Sequence, residues 1–368
     1  MKTKMKKTTR QSLFTVLFVV VLYIAVSVAK SGGLLSYSLK GQLVPICAYV
    51  VMALSLNLTV GILGELSLGH AGFMSIGAFT GAVISMSLTG SVESALLRLV
   101  IALVGGAILA GVFGFVIGLP VLRLKGDYLA IVTLAFGEII KTIVNCLYVG
   151  HDSKGLHISF ENVEALGLEE GGKAIIKGPM GVVGIKSIST FTVGFVLIIV
   201  TLAVIFALVD SRAGRAIMAI RDNRIAAESV GIPITKYKMM AFVVSAAIAG
   251  AAGALYGLNY SAFTPAQFNY NTSILILVYV VLGGIGNMRG SVISAAVLVL
   301  LPELLRAVEK YRMLVYAVVL IIVMIITNNK TAKLFIANIF AKLTSPIRKR
   351  IKMRIAHETD EKEETANE

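Results

Sequence analysis

The chain has 368 residues, of which 57% are hydrophobic and only 15% charged. A soluble domain carries charge on about a quarter of its residues, so a soluble enzyme and a nucleic-acid-binding module are both excluded. The net charge of +14 therefore calls for another explanation than an acidic polymer as partner.

The apolar residues fall in blocks close to the ~20 residues that cross a bilayer as helix. Lipid leaves few alternatives to helix, because every backbone polar group must be satisfied internally. The expected fold class is all-α, a polytopic transmembrane helical bundle of about ten spans. In chain order a basic N-terminus, 1–11, precedes a first span at 12–29. Ser27-Val28-Ala29 has the small-residue form of a signal-peptidase site, yet the segment is read as an uncleaved span. Further spans are expected at 42–60, 67–88, 95–119, 127–147, 190–209, 238–257, 271–286, 290–306 and 312–328, so that the membrane domain runs over 12–328. Cys47 and Cys146 lie far apart within apolar spans, and the four histidines show no paired ligand spacing. Neither a disulfide framework nor a metal site follows.

Charge sets the orientation. Arg123, Lys125 and the loop 210–237, with Arg212, Arg215, Arg221, Arg224, Lys236 and Lys238 in or beside it, alternate with loops that mix signs. By the positive-inside rule both termini and 210–237 are cytoplasmic, and the long loop 148–189 is extracytoplasmic. Residues 329–368 form a cytoplasmic tail. It is amphipathic over 334–343, basic over 348–354 and then acidic at Glu358, Asp360, Glu361, Glu363 and Glu364. Such a charged end without apolar periodicity is expected to be partly disordered.

Three stretches carry polar chemistry at unusual places. The first, Gly61-Ile62-Leu63-Gly64-Glu65-Leu66-Ser67-Leu68-Gly69-His70-Ala71-Gly72, is rich in glycine, which weakens helix. It reads either as a short inside turn or as a discontinuous helix whose half-helix end lines a translocation path. Asn57, Glu65, Ser67, Gly69 and His70 are the path candidates there. The second is Glu138, about 17 Å along a helix that starts near Asp127. It is a local partner for Lys141 at i,i+3 or, as intramembrane charge, a functional group. The third is Gly283-Gly284-Ile285-Gly286-Asn287. It lacks the Gly-Lys-Ser/Thr ending of a phosphate loop, and no such ending occurs elsewhere. Close helix packing explains these glycines, as it does Gly105, Gly106, Gly111 and Gly114.

The organising stretch is 210–233, which is polar between two apolar spans. It reads as two short helices. The first carries Ala216, Ile217 and Ile220 on one side and Arg212, Arg215 and Arg221 toward water. Asn223 is a fit N-cap for the second, Arg224 to Val230. Gly231 suits the C′ position, and Pro233 blocks simple continuation. A short amphipathic segment of this kind can fill a groove on a partner.

Several blocks resemble the branched-chain amino acid permeases of ATP-binding-cassette importers. They are Leu54-Ser55-Leu56-Asn57, Leu66-Ser67-Leu68-Gly69-His70-Ala71-Gly72-Phe73 and Gly77-Ala78-Phe79. Leu124-Lys125-Gly126-Asp127-Tyr128 running on to Gly137-Glu138-Ile139 matches too, as does Val281-Leu282-Gly283-Gly284-Ile285-Gly286-Asn287-Met288-Arg289-Gly290. The organising stretch resembles that family's coupling loop through Gly214-Arg215-Ala216, Ala219-Ile220-Arg221-Asp222-Asn223 and Ala226-Ala227-Glu228-Ser229-Val230-Gly231. It departs from the general importer pattern in that Ala226-Ala227 precede Glu228. The resemblance covers roughly 40–328.

It implies a plasma (inner) membrane, multi-pass subunit that docks its ATPases through Gly214, Arg215, Arg221, Asp222, Asn223, Ala227, Glu228 and Gly231. The implied partners are a sister permease subunit, two cytoplasmic ATPase subunits that bind ATP-Mg, an extracytoplasmic solute-binding protein and the lipid bilayer. No cofactor is expected in this chain. The implied cargo is branched-chain amino acids, and related permeases take urea, short amides or other amino acids. An ion-coupled secondary transporter is the reading from a different class. It would use Glu65, Glu138 and His70 as ion sites and would not require the loop 210–237.

Overall fold

The computed structural model describes residues 7–305, apart from 34–35, 125–126 and 170, and isolated positions between 314 and 321. Two compact units, Met1–Leu304 and Leu305–Glu368, divide the chain. Everything below concerns the first. The expected span 312–328 falls in the second, largely outside the described residues, and the amphipathic, basic and acidic parts of the tail lie wholly outside them.

Eleven α-helices are described. They are α1 (Lys7–Ser31), α2 (Tyr37–Asn57), α3 (His70–Ser87), α4 (Ala95–Val121), α5 (Asp127–Asn145), α6 (Phe191–Asp210), α7 (Arg212–Asp222), α8 (Arg224–Ser229), α9 (Ile234–Gly257), α10 (Tyr270–Gly283) and α11 (Met288–Leu304). Side-chain caps fix several starts. Ser211 accepts from the Gly214 N–H at 3.1 Å, Asn223 from Ala226 at 3.0 Å and Asn269 from Thr272 at 3.1 Å. Each satisfies one of the amides that a helix start leaves unpaired. Among the described residues seven helical stretches are long and apolar enough to cross a bilayer. They involve α1, α2, α4, α5, α6, α9 and α10. Helices α3 and α11, of 18 and 17 residues, stand where two further spans were expected. The expected count of about ten is therefore not confirmed: seven long spans and two shorter helices stand among the described residues.

Large side chains such as Met52, Met74 and Phe242 fill part of the interior, but the closest helix contacts are made by small residues. Helices α3, α4 and α9 meet where Gly77, Gly106 and Gly250 face one another. A Cβ on Gly77 would lie 1.9 Å from the Gly250 carbonyl oxygen, and one on Gly250 would lie 2.4 Å from that of Gly106. Lipid supplies no hydrophobic drive between helices, so close backbone approach and dispersion hold them. Larger apolar residues lie on outer faces, among them Val104, Ile108 and Val112 of α4.

Residues 148–189, expected as a long loop, are partly sheet. The strands are β1 (Tyr148–Asp152), β2 (Gly155–Ser159), β3 (Lys173–Lys177), β4 (Val182–Val183) and β5 (Ala262–Phe263), in spatial order β2-β1-β3-β4-β5. All pairings are antiparallel, and β5 comes from the connection after α9. Asp152 staples the β1–β2 turn. Its carboxylate accepts from the Lys154 N–H at 2.8 Å, the Glu169 N–H at 3.3 Å and the His157 ring at 3.1 Å. Desolvation works against its charge, but these donors outweigh it and hold the carboxyl below its ordinary range. The strands are too short for alternation to betray them, and one partner is distant in sequence.

Candidate functional site

The break expected within 61–72 is real and has two parts. Helix α2 widens at its end into a six-residue π-helical turn, Leu58–Leu63. Such turns loosen a helix and occur often at functional sites. Gly64 then takes a left-handed conformation, φ +81°, and the chain runs on without helix to Gly69. Glu65 is paired with Lys238 near the start of α9, and His70 lies beside Ser245, the middle of that helix. Seven residues of α9 separate the two partners, about 11 Å. The five steps from Glu65 to His70 cover that distance easily, since an extended chain reaches ~3.3 Å per residue. The stretch 64–69 therefore re-enters the bundle and delivers the start of α3 halfway along α9. It is a discontinuous helix rather than a turn at one face.

A polar knot surrounds that start. The Ser55 hydroxyl donates to the Ser245 carbonyl at 2.6 Å, and the Ser245 hydroxyl to the Ser55 carbonyl at 2.7 Å. Thr59 donates to the Ser245 oxygen at 2.8 Å, and His70 Nε2 lies 2.9 Å from it. With its single proton given to Ser55, Ser245 can only accept from the imidazole. This assigns His70 the Nε2–H tautomer by bookkeeping, with Nδ1 facing the Ser67 hydroxyl at 3.3 Å. The Ala71 N–H donates to the Ser273 hydroxyl at 3.1 Å, and that of Leu68 to the Thr133 hydroxyl at 3.0 Å. Two amides at or just before this helix start are thus engaged by hydroxyls, and that of Gly72 by the Gly69 carbonyl at 3.0 Å. Gly69 rests on α5: a Cβ there would meet the Thr133 carbonyl oxygen at 2.5 Å.

Asn57 is fully buried and lies outside this knot. It donates to the Ser291 hydroxyl and accepts from the Gly286 N–H, each at 2.8 Å, and so ties α2 to the α10–α11 turn. Glu65 and Lys238 form an ion pair with side chains 15% and 6% exposed. Lys238, which the sequence suggested as an ordinary basic residue at the membrane face, is its buried half.

Glu138 stands apart from these groups, on α5. As the spacing suggested, it pairs with Lys141. It also accepts from the Tyr270 N–H at 2.8 Å, at the first residue of α10. A carboxylate there is favoured by the helix dipole. The pair is 31% and 23% exposed on its side chains, so Glu138→Gln should lower stability by ~1–2 kcal/mol, less than the loss at a fully buried pair. Glu138→Gln with Lys141→Met should restore the thermal midpoint. A double variant no more stable than Glu138→Gln alone would show that Lys141 does not depend on the carboxylate.

The stretch 210–233 folds as its sequence suggested. Ile217 and Ile220 of α7 are buried at 0% and 3%, whereas Ala216 is only half-buried. Gly214 is confined, since a Cβ would lie 2.3 Å from the carbonyl oxygens of Leu208 and Val209. This lets α7 fold tightly under the end of α6. Arg215 donates to the Asp210 carbonyl at 3.1 Å. After α8 the Gly231 N–H returns to the Glu228 carbonyl and the Ile232 N–H to that of Ala227. With Gly231 at φ +80° this is a Schellman ending. Ala227 is buried, Glu228 is exposed, and the apolar Ile225 and Val230 are 80% and 75% exposed. Arg221, expected toward water, turns partly inward. Its Nη1 donates to the Gly61 carbonyl at 3.0 Å, while Nε and Nη2 bind Asp222 Oδ1 at 3.0 and 2.9 Å.

Ser245, Thr133, Ser273, Ser291 and Lys238 are absent from the sequence-based candidates. The usable signal was a hydroxyl or a charge alone within an apolar span, where burial without a partner is costly.

Residues 38–324 match the family model described as branched-chain amino acid transport system / permease component. The chain is 34% identical over 297 residues to the high-affinity branched-chain amino acid transport system permease protein LivM of Salmonella typhimurium, covering 75% of this chain and 66% of that one. It is 34% identical over 287 residues to LivM of Escherichia coli K12, with the same coverage. It is 24% identical over 285 residues to the permease protein LivH of the same organism, covering 76% of this chain and 89% of LivH. The matched part thus spans about two-thirds of the length of the LivM relatives. No solved structure matches the chain.

Proposed function

Because this chain belongs to the branched-chain amino acid transport system permease family, we propose that it is a membrane-spanning subunit of an ATP-binding-cassette importer that carries branched-chain amino acids across the plasma membrane. The observation that carries this reading is the pair α7–α8. It has a greasy inner side at Ile217 and Ile220, fixed caps at both helix starts, and exposed Ile225 and Val230 on the outside. Two exposed apolar side chains on a short, capped, otherwise polar helix are the kind of anchors with which an amphipathic segment fills a groove on a partner.

In this reading α7–α8 face the cytoplasm and seat one of two ATPase subunits, which bind the ATP-Mg. A sister permease completes the pathway, and a solute-binding protein delivers cargo to the sheet β1–β5 side. The chain itself supplies no phosphate loop, so purified alone it should show no saturable ATP hydrolysis.

Ile225→Asp should abolish co-purification of the ATPases while leaving the membrane domain folded, because Ile225 makes little contact within the chain. Undiminished recovery of the ATPases with that variant would sink the docking surface. Orientation is tested with single cysteines in a Cys146→Ser background, since native Cys146 is exposed and Cys47 buried. A membrane-impermeant maleimide applied to intact cells should modify a cysteine at Glu169 and not one at Glu228. The opposite pattern would invert the topology.

A further inference from the structure

The end of α2 and the start of the re-entrant stretch are gripped from α7 by one side chain. The Arg221 Nη1 donates to the Gly61 carbonyl at 3.0 Å. Gly61 lies in the last turn of a helix, where intrahelical donors run out and a cation is favoured. The stem of the same side chain covers Gly64: a Cβ there would lie 2.5 Å from Arg221 Cγ, 3.3 Å from Cδ and 3.4 Å from Cβ. Gly64, at φ +81°, is the residue where helix gives way to the re-entrant stretch. Two further donors of the fork, on Nε and Nη2, are held by Asp222 at 3.0 and 2.9 Å, so the guanidinium is oriented from α7's own end. Ile217 and Ile220 also bury against the bundle, but apolar contacts are non-directional and let a helix slide. Arg221 makes a directional bond, and it makes it at the hinge.

We propose that Arg221 is the positioning residue through which a displacement of α7 is passed to the stretch 64–69 and to the start of α3. The guanidinium moves the final turn of α2, and the stem moves Gly64. His70 and its hydroxyl partners then follow at the far end of the six-residue stretch. This rests on the docking of ATPases at α7–α8 proposed above. It separates from that reading because Arg221 faces Gly61 and Gly64, whereas Ile225 and Val230 face away.

The experiment uses the complete complex in proteoliposomes, with radiolabelled leucine as probe, and reads leucine transported per ATP hydrolysed. Arg221→Ala should retain the co-purified ATPases and lower that ratio at least ten-fold. Arg221→Lys keeps a cation near Gly61 but cannot hold Gly61 and Asp222 with one planar fork. It should give an intermediate ratio, and it decides the matter if the alanine variant fails to accumulate. A ratio within two-fold of the parent in the folded Arg221→Lys and Arg221→Ala complexes would overturn the proposal. So would loss of the ATPases from Arg221→Ala, which would make Arg221 a docking contact. Failure of the docking reading itself would appear elsewhere, as ATPases retained by Ile225→Asp.

Discussion

Gly77→Leu is expected to remove the folded protein from the membrane altogether. Even the first added carbon would stand 1.9 Å from the Gly250 carbonyl oxygen and 2.5 Å from its carbon. Both are backbone atoms of α9, which cannot rotate away as a side chain can. Relief requires α3 and α9 to separate, and α9 is itself pressed on α4 through Gly250 and Gly106. Overpacking of a core usually costs ~1–3 kcal/mol when side chains can adapt. Here three backbones must move, so the cost should exceed that range and consume much of the ~5–15 kcal/mol by which proteins are stable. Size-exclusion profiles of a fluorescent fusion should show aggregate or no protein. Gly111→Ala is the control, since its Cβ would meet Ala247 at 3.5 Å, an ordinary contact. It should shift the thermal midpoint by no more than about 2 °C. A monodisperse Gly77→Leu protein would show that these helices are held by something other than close backbone approach.

Lys238→Met should destabilise by ~3–5 kcal/mol, because it strands the Glu65 carboxylate at 15% exposure without its cation. Glu65→Gln with Lys238→Met should recover most of that loss, since replacing a buried pair with neutral groups is often close to neutral. Thermal unfolding of the single and double variants in detergent measures the coupling. Equal midpoints for Lys238→Met and the parent would mean that the pair is open to water.

What the sequence disclosed follows the range of its signals. Asn223 as cap, Gly231 as C′ residue and the two-helix form of 210–233 are local matters of one turn or less, and all appear in the structure. Glycine density located the break after α2, because helix propensity is also local. Its depth was not legible. It depends on which residue of α9 lies beside His70, and that partner, Ser245, is 175 residues away. Lys238 looked like any basic residue at a membrane face, since nothing near it in sequence reveals a carboxylate opposite. The strands were hidden for a similar reason. Val182 and Val183 form a strand between Ile176 on one side and the distant Phe263 and Ala262 on the other.

That last pairing also constrains how the chain is made. The ladder of Val182 with Phe263 closes a loop that contains all of α6, α7, α8 and α9. The β1–β2 hairpin can form as soon as its own residues have been translated, but β4 gains its outer neighbour only after residue 263 has left the ribosome. Non-local pairings of this kind are slow and leave an unpaired strand edge while they wait. The cap over this end of the bundle is therefore finished late in biogenesis. Until then β4 is a short exposed edge, which limits the template it offers to a neighbouring nascent chain.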